Sequence, residues 1–224
     1  MDAEADVPQG NASNVPLVSV PDLRDYHLIN KEVETHLNAG RRRVRLIGVE
    51  RQRLLLSGLA GPWDAVVDVE GDVGPEFAEG LCAPNVTVIC RGNASDGLGL
   101  GMEAGFVVVL GDAGPAVGYA MRGGTLVVKG RAGPRAGLNQ VGGELILLGS
   151  VGGLAGERQS GGLISVVEGN CGPFLGRGRR GGELLLRDPT APPFEGLDPM
   201  RVQRLDLAFD SFRERSAVRE SPRP

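Results

Sequence analysis

Histidine is nearly missing from this chain of 224 residues: His27 and His36 are the only two. Both precede the glycine-rich region described below, so a zinc site built from three histidines is excluded. Cysteine is almost as scarce. Cys82, Cys90 and Cys171 form an odd, widely spaced set, which reads as reduced thiols, not as a disulfide framework or a metal site. No G-x-x-x-x-G-K-[ST] and no G-x-S-x-G occurs, so neither a P-loop nor a nucleophile elbow is present. No apolar run approaches the roughly 18 residues of a membrane span, and Met1 to Gly10 is acidic where a signal peptide is basic and apolar. The expected location is therefore the cytoplasm, where the sequons at Asn11, Asn85 and Asn93 carry no glycosylation meaning. A charge excess is lacking too. The formal net charge of -4 and pI near 5.3 give no reason to expect nucleic acid or an anionic membrane. Local basic runs, Arg41-Arg42-Arg43 and Arg177 to Arg180, read as solvated faces or docking surfaces.

Glycine, by contrast, is abundant, with 36 residues, and its placement is regular. From Arg91 to Gly182 a unit recurs about every 19 residues: a short apolar run, then spaced glycines. Leu126-Val127-Val128-Lys129 leads to Gly130, Gly133, Gly137 and Gly143, and Leu145-Ile146-Leu147-Leu148 leads to Gly149, Gly152, Gly156 and Gly162. An earlier copy carries Ser95 in place of one glycine, and a weaker one lies at Val67 to Ala78. Fixed-period recurrence marks a solenoid, because one unit has too little apolar surface to bury alone. Glycine costs a helix about 1 kcal/mol relative to alanine, and no unit holds an uninterrupted amphipathic stretch, so strands are expected. Two ladders follow from the period-2 rule: Val69, Cys90, Val109, Val128, Leu147, Val167, and Val67, Val88, Val107, Leu126, Leu145, Ser165. Ser165 interrupts the second, and one extra residue beside it suggests a bulge. The glycines are read as corners that need positive φ or close backbone approach. A phosphate cradle at Gly97-Leu98-Gly99-Leu100-Gly101 is disfavoured, because a β-run and not a helix N-terminus follows it.

The remainder divides into three parts: a polar tail over residues 1–21, a helix and capping segment over 22–62 before a coil over 63–187, and a proline-rich extension over 188–224. Asn30 is expected to cap a helix over Lys31 to Ala39, with Gly40 as its stop. Val44 to Ile47 and Arg53 to Leu56 read as β-like segments that begin or cap the coil. In the extension, Val202, Leu205, Leu207, Phe209 and Phe212 alternate imperfectly, as an end cap or a partner-contacting segment would. Catalytic candidates are few. Ser150 and Ser160 sit among glycines and define the esterase alternative, and the sequence does not set the separation of the carboxylates Glu103 and Asp112. Glu157-Arg158-Gln159 places a polar cluster where other units carry apolar or small residues, and is the expected partner contact.

Gly111-Asp112-Ala113-Gly114, Gly118 to Gly124 and Ala155 to Gly162, preceded by Ile29-Asn30-Lys31-Glu32-Val33 and Gln52-Arg53, resemble the C-terminal domain of the glutamate synthase large subunit in its stand-alone form. The resemblance covers about residues 25 to 187. It implies an all-β, right-handed parallel β-helix that carries no catalytic residue, cofactor or metal of its own. It further implies FMN and an iron–sulfur cluster in a partner subunit, and a role in holding glutaminase and synthase parts in register. The glycine-repeat subunit of formylmethanofuran dehydrogenase and of formyltransferase/hydrolase complexes shares such units and is the second resemblance. Two positions depart from the first pattern: Arg51 where Gly precedes Gln-Arg, and Arg158 where an aromatic is usual. A homo-oligomeric scaffold, whose coil faces pack on each other, is the remaining possibility.

Overall fold

A computed structural model describes residues 15–167 and 169–186. Nine strands pair in chain order into one parallel sheet: β1 (Leu17–Ser19), β2 (Arg43–Glu50), β3 (Ala65–Asp72), β4 (Cys82–Cys90), β5 (Ala104–Val109), β6 (Thr125–Val128), β7 (Glu144–Leu147), β8 (Leu163–Val166) and β9 (Glu183–Leu186). Parallel neighbours in sequence order, joined from β2 onward by turns and bends with no helix between them, require the chain to coil once per strand. A second column of bridges, Ala94↔Ala113↔Ala132↔Val151↔Cys171, forms a few residues past the end of each strand. This is the parallel β-solenoid expected from the recurrence.

Both ladders form, and the inner face of the sheet is built from them. Val67, Val88, Val107, Leu126 and Leu145 stack in register, as do Val69, Cys90, Val109, Val128 and Leu147. All ten side chains are fully buried. The last members differ from expectation. Leu145 pairs with Ile164 and Leu147 with Val166, so these two continue the ladders and Ser165 pairs with the outward residue Ile146. The extra residue falls after the strand: Leu147 and Val166 are 19 apart, whereas the next bridge, Val151↔Cys171, spans 20. Displacement of the insertion into the corner leaves the ladder apolar and removes any need for a bulge in β8.

The N-terminal helix is longer than its expected bounds. Asp25, not Asn30, caps it, accepting a hydrogen bond from the His27 N–H at 2.7 Å, and α2 runs Tyr26–Asn38. The earlier start adds Ile29 to Val33 and Leu37, giving a buried i, i+4, i+8 stripe. Asn30 lies inside the helix. Its amide donates to the Leu54 carbonyl at 3.0 Å and accepts from the Leu56 N–H at 2.7 Å. Arg53 to Leu56 is consequently a corner and not a strand, with Leu54 and Leu56 at φ of 57° and 60°. Residues 17–21, placed in the tail by composition, instead form β1 and the start of α1 (Val20–Leu23). Val18 pairs with Leu46, so β1, α1 and α2 together cover the first edge of the coil. Residues 1–14 and the proline-rich extension from 188 lie outside the described residues.

Candidate interaction surface

Each coil turns its corner through three left-handed residues spaced two apart. The middle one is glycine in successive coils, Gly118, Gly137 and Gly156, at φ of 65°, 68° and 70°. The flanking two are not: Ala116 and Ala120, Arg135 and Asn139, Leu154 and Arg158 adopt φ between 53° and 64°. Other glycines have ordinary φ and a different reason to be glycine. A Cβ on Gly133 would lie 2.6 Å from the Gly114 carbonyl carbon, and one on Gly142 2.1 Å from the Arg122 carbonyl oxygen. Those backbones stack directly on the coil before. These glycines are thus consumed by coil-to-coil contact.

On this corner the Glu157-Arg158-Gln159 cluster splits. Arg158, left-handed at φ 54°, is exposed, and Glu157, half-buried, lies 3.5 Å from Arg135. Gln159 is fully buried and points into the coil, which removes it from any surface that a partner could touch. Its position continues an interior column, Met102, Met121, Gln140 and Gln159, all fully buried. Gln159 Nε2 donates to the Gly162 and Glu183 carbonyls at 3.2 and 3.1 Å and to Gln140 Oε1 at 3.3 Å. Gln140 Nε2 donates likewise to the carbonyls of Gly142, Gly143 and Leu163. These buried amides are tolerated because each Nε2 bonds backbone carbonyls of its own coil and of the next. Replacing Gln159 by Met removes the donor to Gln140 Oε1 and is expected to cost about 1–3 kcal/mol. Replacing both glutamines extends the methionine column and should cost less than the two single changes added together. Thermal denaturation of the three variants measures this, and additive losses would refute the coupling.

Polar residues on the outside also follow the coil spacing. Asp72 Oδ1 accepts from the Asn93 N–H, Asn93 Oδ1 from Asp112, and Asp112 Oδ1 from Arg131, at 2.8, 2.9 and 2.7 Å. The Arg131 N–H, aided by its guanidinium, holds the Asp112 carboxyl below the usual carboxylate range. Glu103, the other carboxylate singled out in the sequence, pairs with Arg122 at 3.2 Å. The two acids therefore have separate arginine partners, each one coil later, and do not form a catalytic pair. On the outward side of β2–β4, Asp68 is fully buried between Arg43 and Arg91, at 2.6 and 2.5 Å, and Arg45 pairs with Glu70.

The remaining reactive side chains are dispersed. Both histidines lie on α2, which packs on α1, β1 and β2. Ser150 and Ser160 lie between β7 and β8, near the other end of the sheet, so neither serine has a histidine to take its proton. Ser150 Oγ instead accepts from the Asn170 N–H at 3.1 Å. The three cysteines are unbridged. Burial pushes the Cys90 thiol up to about 12 and that of Cys171 upward, so neither is an activated nucleophile. Among the described residues, no helix is long and apolar enough to cross a membrane.

These features define a parallel β-solenoid whose glycines are structural and whose exposed side chains form coil-spaced polar ladders. No family model, curated protein or solved structure matches the chain.

Proposed function

We propose that this chain is a structural subunit, without a reaction of its own, of a glutamate synthase-like multi-subunit oxidoreductase in the cytoplasm. It holds a glutamine amidotransferase and a flavin-bearing synthase subunit in fixed register, and FMN and the iron–sulfur cluster belong to the synthase partner. The observation that carries this reading is the use of the glycines. Glycines that recur from coil to coil, Gly114, Gly133 and Gly142, press against the backbone of the neighbouring coil, with Cβ positions 2.1–2.9 Å from it. The same G-x-x-G-x-x-x-G units underlie the resemblance to the glutamate synthase domain. Glu157 and Arg158 supply the contact with the amidotransferase or synthase, because they are the outward part of the polar corner.

Affinity purification of the full-length protein from its native host tests this. An amidotransferase and a flavoprotein should be recovered with it, and Arg158→Glu should reduce their recovery at least about tenfold, since a reversed charge at a contact costs more than about 1.4 kcal/mol. Recovery of the protein alone, or with formyl-transfer subunits, would overturn the assignment.

A further inference from the structure

The sheet has a second apolar face, turned away from the coil interior. Ile89, Phe106, Val108, Val127, Ile146 and Val167 alternate with or follow the inner-ladder residues and therefore project outward. They form a core cluster separate from the interior one. An outward residue on a lone sheet meets water, yet these six are only 0–4% exposed. The described helices do not shield them: α1 and α2 pack on each other, β1 and β2, while β4 to β8 pack chiefly on the strands beside them.

We infer that the C-terminal segment of this chain, Met200 to Phe212, docks on that outer face. It carries Val202, Leu205, Leu207, Phe209 and Phe212 within 13 residues, enough large apolar side chains to match the six on the sheet. The N-terminal residues 1–14 offer Met1 and Val7 and no aromatic, so they cannot do so. Reach is sufficient. The described chain ends on β9, at the edge of the same sheet, and 13 residues separate Leu186 from Met200. Fully extended they span up to about 43 Å, whereas the path back from β9 to β4 crosses five strand spacings, about 24 Å. Two-layer burial is the ordinary solution for a sheet that is apolar on both faces. The segment therefore closes the outer face within one copy of the chain, and the faces left for partners are the corners and the coil ends.

A benzophenone-bearing amino acid in place of Phe209, in the full-length protein at low concentration, tests the docking without removing the segment. Irradiation should give links within single chains, mapping to peptides that contain the outer-face residues Ile89, Phe106, Val108, Val127, Ile146 or Val167. Links to a second copy, links that map elsewhere, or no links would overturn the inference. As an independent readout, Leu205→Asp with Phe209→Asp in the full chain should raise binding of a hydrophobic dye severalfold, and unchanged dye binding would count against it.

Discussion

Alanine at Gly142 should lower the melting temperature by about 6–12 °C, from a loss of about 3 kcal/mol at roughly 2–4 °C per kcal/mol for a chain of this size. The added Cβ would sit 2.1 Å from the Arg122 carbonyl oxygen. That atom is backbone and cannot swing aside, so two coils must separate locally. Gly123 and Gly161 occupy the same place in adjacent coils, with Cβ positions 2.1 and 2.2 Å from the Glu103 and Val141 carbonyl oxygens. Gly101 provides the contrast. Its φ is 63° but nothing lies within 4 Å of its Cβ position, and Ala120, Asn139 and Arg158 hold the equivalent corner in later coils. Gly101→Ala should cost about 1–2 kcal/mol, the ordinary charge for a left-handed L-residue. Equal losses at the two sites, measured by calorimetry or thermal denaturation, would show that coil-to-coil contact is not what selects glycine at Gly142.

Asp68→Ala is expected to destabilise the fold by about 3 kcal/mol, because it removes a buried anion that two guanidiniums share. Arg43 is 42% exposed and can turn to water, but the Arg91 side chain is only 11% exposed. Most of the cost therefore falls on Arg91. Asp68→Leu combined with Arg91→Leu should recover much of the loss, since both lie on the outward side of the sheet beside Ile89, where apolar side chains pack. Urea denaturation of the single and double variants gives the comparison. A double variant as unstable as the two singles summed would mean that the ion pair does not account for the cost.

The residues differ in how far they disclosed these features. The ladders were readable because a two-residue alternation superposed on a 19-residue period leaves few registers, and Val107, Leu126 and Leu145 fall into line by counting alone. Counting back from the glycines failed at the last coil, where the insertion had moved into the corner and Ile164 took the ladder place assigned to Ser165. Polarity misled at Gln159. A glutamine among charged neighbours reads as surface, but its column was already marked by Met102 and Met121 in earlier coils. Left-handed corners at Arg135, Leu154 and Arg158 were hidden because their conformation is imposed by stacking on the coil beside them, which no local propensity encodes. The outer apolar face was visible in part, as uninterrupted runs such as Val107-Val108-Val109-Leu110. Such runs mark a strand buried on both sides.

The backbone hydrogen bonds between coils all run along one axis. Nine strands stacked at about 4.8 Å give eight intervals, so the sheet from β1 to β9 is a rod of roughly 38 Å. Its length is set by an integer. Removal of one whole 19-residue unit would shorten the rod by about 4.8 Å and leave every ladder joined, and the extra residue between Val151 and Cys171 shows that a corner absorbs a small change in unit length without moving the columns. A protein made this way can change the distance between its ends only in steps.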